Sequence, residues 1–87
     1  MEHIAKQLLT KYAGILKPMV EAIETKPETT RNHYGDYMAL IGRCTKEAPI
    51  EQKAKRTQFT ALALILAGAN TQGVQDATQL LTGGNYL

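Results

Sequence analysis

The run Phe59-Thr60-Ala61-Leu62-Ala63-Leu64-Ile65-Leu66-Ala67-Gly68-Ala69-Asn70 is apolar almost without interruption, with a basic cluster before it and Thr71-Gln72-Gly73 after it. A helix with one face in water shows polar residues at every third or fourth position, so a segment apolar all round must be covered on nearly every side. The whole chain has 87 residues, and domains of that size bury only about 60% of the surface of the unfolded chain. The mismatch predicts an all-α fold over residues 1–87, a single small bundle of three to four helices whose core is completed by homo-oligomerisation. A strand reading of Phe59 to Ala67 is disfavoured by its Ala- and Leu-rich composition and by the lack of any partner strand elsewhere.

Four helical segments are expected. Ile4, Leu8, Tyr12, Ile15, Met19 and Ile23 form one stripe of a first helix from about Glu2 to Glu24. Pro18 lies inside it and presses on the carbonyl of Gly14, which predicts a kink rather than a stop. Thr25-Lys26-Pro27-Glu28-Thr29-Thr30 is a connector rich in cap residues. A second helix from about Thr30 to Lys46 follows, with Tyr34, Tyr37, Met38, Ile41 and Cys44 on one face. Pro49 and Glu51 suit the first turn of a third helix, which holds the apolar run and ends near Gly68. Asn70 or Thr71 caps a short fourth helix carrying Val74, Ala77, Leu80 and Leu81, closed by Gly83-Gly84.

Composition excludes several classes of chemistry. The single cysteine, Cys44, forms no intramolecular disulfide, and with only His3 and His33 beside it a zinc site of four Cys and His ligands is out of reach. A reducing, cytoplasmic setting is the natural expectation. Glu2 and His3 begin an amphipathic pattern unlike a secretory leader. The longest apolar run, about 12 residues, falls short of the roughly 20 that cross a bilayer. There is no serine, and Cys44 shares the stripe of Tyr37 and Ile41, which suits a small core residue better than a nucleophile. His33 and Asp36 share a helix face without a third catalytic partner. No enzymatic motif, cofactor or metal site follows. Glu21, Glu24 and Glu28 read as a solvated row, or as an acidic face for a basic partner.

Three features suit binding. Lys53, Lys55 and Arg56, with Thr57 and Thr60, open the third helix. Cations oppose the macrodipole there, so the cluster is not placed for helix stability; it is a phosphate-binding group or a solvated helix start. Ala67-Gly68-Ala69-Asn70-Thr71-Gln72-Gly73 is a small-residue turn into a helix, able to admit a backbone or an anion, or an ordinary connection. Tyr12, Tyr34, Tyr37 and Tyr86 are stacking surfaces for bases or core tyrosines with hydroxyls at the edge.

The size, the helical order and the loose arrangement of Tyr12, Lys26, Thr29 and Arg56 resemble those of phage accessory proteins of the anti-CBASS type. These are compact helical homo-oligomers that sequester cyclic oligonucleotide messengers of bacterial immunity without cleaving them. The resemblance implies a pocket at an oligomer seam in which Tyr12 stacks on a base and Lys26, Thr29, Lys55 or Arg56 hold phosphates. It implies a second site at Gly68-Ala69-Asn70, and a location in the cytoplasm of the host cell. A competing reading is a protein-protein inhibitor or adaptor, anti-CRISPR-like, docking on a host protein through the exposed part of the apolar run and the acidic row. A third is a weak nucleic-acid binder using Arg43, Lys53, Lys55 and Arg56. The net charge of +2 fits that one least.

Overall fold

The computed structural model describes residues 3–27 and 30–83. They form four helices, α1 (His3–Glu24), α2 (Thr30–Glu47), α3 (Lys53–Leu66) and α4 (Thr71–Thr82), and among them there is no strand. The all-α expectation therefore holds. α1 runs through Pro18 as one helix. Pro18 is exposed, and the space around Gly14 is open, so the missing hydrogen bond falls on the solvent side.

The third helix begins later than Pro49. Ile50 N–H donates to the Ala48 carbonyl at 2.8 Å, closing a three-residue turn around Pro49 that a helical first turn does not contain. Gln52 is the N-cap, and it offers no side-chain bond to the helix. The other end is strongly specified. Ala69 N–H donates to the Leu64 carbonyl and Gly68 N–H to that of Ile65, both at 3.0 Å, with Gly68 at φ 106°. This is the paired Schellman closure, which needs a residue tolerant of positive φ. Asn70 then caps α4 by accepting from Gly73 N–H at 2.8 Å, and Gly83 at φ 69° ends it. Gly84 lies outside the described residues.

Packing relations follow from a few contacts. The Tyr12 hydroxyl donates to the Cys44 carbonyl at 2.8 Å, while the ring of Tyr12 lies 5.6 Å from that of Phe59. Nearer the other end of α1, Glu24 accepts from Tyr37 and from the Asn70 N–H. α2 therefore runs antiparallel to α1, and α3 runs in the same sense as α1. α4 lies antiparallel along the first half of α2, with Tyr34 donating to the Asp76 carbonyl at 3.0 Å and Tyr37 against Gly73. Of the helix pairs that touch, α2 and α4 share the most extensive interface, and α1 and α2 the least.

Within the apolar run Phe59, Thr60, Ala61, Ala63 and Leu64 are buried by α1, α2 and α4 of the same chain. Leu62 and Ile65 are half-buried and Leu66 is 55% exposed. The sequence argument underestimated the cover a single chain supplies: α3 sits between three helices rather than at an edge. Apolar side chains remain in water elsewhere, notably Ile15 at 56% and Leu80 at 63% exposure.

Candidate functional site

The limited contact between α1 and α2 leaves a groove of about 330 Å³ between the C-terminal half of α1 and the face of α2 opposite it. Its middle is apolar, built from Met19 and Ala22 on α1 and Ala39 and Leu40 on α2. Helical spacing explains its polar ends. Asp36 and Arg43 are seven residues apart on one stripe of α2, a separation of about 10 Å along the axis. Lys26, just past the end of α1, reaches across to Asp36 with Nζ 2.9 Å from Oδ2. Arg43 has a different environment: its guanidinium meets the Met19 sulfur at 3.4 Å, a weak acceptor, and no carboxylate pairs with it among the described residues.

The Lys26 elbow is held by the backbone. Thr25 Oγ1 donates to the Glu21 carbonyl at 2.7 Å, and His33 Nε2 lies 3.4 Å from the Lys26 carbonyl. Next to it, Glu24 binds Tyr37 and, at 2.9 Å, the Asn70 N–H. This overturns the solvated-row reading for Glu24, whose carboxylate joins α1, α2 and the entry to α4.

The residues proposed from sequence fall into two groups at opposite ends of the bundle. Lys26, Gly68 and Asn70 lie at one end, where Glu24 binds the Asn70 N–H, and Thr29 lies outside the described residues. Tyr12, Lys55 and Arg56 lie at the other, around Phe59. Tyr12 and Lys26 are 14 positions apart, roughly 20 Å along α1, so one protomer does not bring them into one pocket.

Tyr12 itself is a core residue, with its ring on Phe59 and its hydroxyl on Cys44. Burial pushes its phenol up to about 12, helped by Cys44 and the Glu47 carboxylate and opposed by Arg43. Only part of Tyr12 reaches a smaller groove of about 240 Å³, beside Leu8, Lys11 and Ile15. Tyr37 is fully buried, and its phenol is raised first by that burial and then by its bond to Glu24. Arg56 donates from Nε to the Ile50 carbonyl at 2.7 Å, so it pins the α2–α3 connection, while Lys55 is exposed. Cys44 is buried, as its position on the stripe predicts.

Sequence reasoning missed the pairing of Asp36 with Lys26 and the place of Arg43 beside it. The seven-residue spacing of Asp36 and Arg43 was the available signal. Among the described residues no group of three His, Cys, Asp or Glu side chains is arranged to hold a metal, and no helix is long and apolar enough to cross a membrane. Comparison of the chain with protein-family models, with curated proteins and with solved structures gives no match.

Proposed function

We propose that this chain is a non-enzymatic binding protein that sequesters a phosphate-bearing small ligand, of the cyclic oligonucleotide class, in the α1–α2 groove where two copies meet. The observation that carries the reading is the groove itself: an apolar middle with cationic Lys26 and Arg43 on its lining, about 330 Å³ in volume. Ligand pockets fall mostly between about 300 and 1,000 Å³. Planar bases suit the apolar middle and phosphates suit the cations.

A second copy completes the site. Ile15, Met19 and Ala22 form an exposed stripe on α1, touched among the described residues by Arg43 at Met19. Met19 lies midway between Tyr12 and Lys26, so antiparallel apposition of two α1 helices about Met19 sets the Lys11-Tyr12 turn of one copy level with Lys26 of the other. In this arrangement Lys11 supplies charge from the second copy, and Tyr12 supports that turn from within the core.

Titration calorimetry with cyclic di-GMP tests the proposal, followed by denaturation and chromatography of the released ligand. Saturable binding with intact ligand recovered supports sequestration. Absence of binding to cyclic di- and trinucleotides, or recovery of cleaved product, overturns it.

Exposed Leu66, Leu80 and Leu81 favour a second reading, an inhibitor or adaptor docking on a host protein. Substituting these leucines by Glu leaves ligand binding intact under the first reading and abolishes host-protein capture under the second.

A further inference from the structure

The two cations of the α1–α2 groove are not equivalent, and we infer that Arg43, rather than Lys26, is the residue that binds the ligand's phosphate. The inference rests on the groove reading above and assigns roles within it. Lys26 Nζ lies 2.9 Å from Asp36 Oδ2, so its charge is answered by a carboxylate belonging to the same groove. A phosphate approaching Lys26 meets Asp36 as well, and the pair presents little net charge to it. The Arg43 guanidinium stands two turns further along α2, exposed, with one long contact to the Met19 thioether. A planar guanidinium carries donors in a fork that matches two phosphate oxygens, and a thioether sulfur leaves nearly all of that capacity unused. The Arg43–Met19 contact also holds the guanidinium over the apolar middle, where a base bound between Ala22, Ala39 and Leu40 would place its phosphate within reach.

The experiment is a set of calorimetric titrations with cyclic di-GMP on wild-type protein, Arg43→Gln, Arg43→Lys and the double variant Lys26→Gln/Asp36→Asn, each checked for fold by thermal melting. The loss of one charge-assisted contact predicts that Arg43→Gln weakens binding about tenfold or more, with Arg43→Lys recovering part of it. The double variant removes a neutral pair and stays within about threefold of wild type. Failure of wild-type protein to bind overturns the sequestering function and this assignment together. Binding that survives Arg43→Gln, or that falls as far in the double variant as in Arg43→Gln, overturns the assignment and leaves the function standing.

Discussion

Glu24, in the last turn of α1, accepts the buried Tyr37 hydroxyl of α2 with the same Oε1 that accepts the backbone N–H of Asn70 at 2.9 Å. One carboxylate oxygen thereby fixes where α1 ends, how α2 leans against it and where α4 starts. The Lys26 elbow begins two residues later, so the geometry of the groove depends on a bond made behind it.

Removing the Tyr37 hydroxyl deprives Glu24 of its buried donor. Tyr37→Phe is expected to cost about 1–3 kcal/mol, and each kcal/mol lowers the melting temperature of a domain this size by roughly 4–8 °C. Thermal melting followed by circular dichroism reads the shift. An unchanged melting temperature would mean that the bond adds nothing to stability.

The same tyrosines set the alkaline limit of the fold. Burial holds the Tyr12 phenol at about 12 and raises that of Tyr37, whereas an unfolded tyrosine titrates near 10. The protonated form is the one the fold favours, so the stabilisation is complete below about pH 10 and is lost as pH rises from there through about 12. Denaturant midpoints measured across that range should fall steadily, and ultraviolet titration should show two phenols ionising only as the chain unfolds. Full ionisation of every tyrosine near pH 10 in folded protein would contradict this.

The helices were legible because their apolar residues recur at helical steps, and the Asn70 cap and Gly83 stop were legible because those residues have few other uses at such positions. The start of α3 was not, since Pro49 fits a helical first turn and the tight turn it actually makes equally well. Cover for Phe59 to Leu64 was underestimated because periodicity says which faces are apolar but not how many neighbours converge on them. The partners of Glu24 lie 13 and 46 positions away along the chain, and no local pattern announces contacts of that kind. Lys26 and Arg43 were picked out from sequence for different readings, and their place on one groove emerged only once α1 and α2 were seen to stand apart.

Substitutions on α3 and α1 should separate folding from assembly. Leu64 faces the chain's own core, so Leu64→Glu is expected to cost more than 4 kcal/mol, close to the whole stability of about 5–15 kcal/mol available to a small domain. Ile15→Glu alters a side chain that is 56% exposed and should keep the melting temperature while dissociating the oligomer. Light scattering and melting on both variants check this. An Ile15→Glu protein that still assembles would remove α1 from the interface.

Gly68 closes α3 at φ 106°, a conformation in which an L side chain is strained. Gly68→Ala should destabilise by about 1 kcal/mol or more through backbone strain alone, because nothing lies within 4 Å of the added methyl group. Equal denaturant midpoints for the two proteins would show that the turn has another available geometry.

Native mass spectrometry of the protein mixed with equal amounts of cyclic di- and trinucleotides tests sequestration most directly, because subunit number and bound mass appear in one spectrum. The account predicts a homo-oligomer carrying intact cyclic nucleotide at a fixed number per pair of subunits. A bare monomer in the presence of every one of these ligands would contradict it.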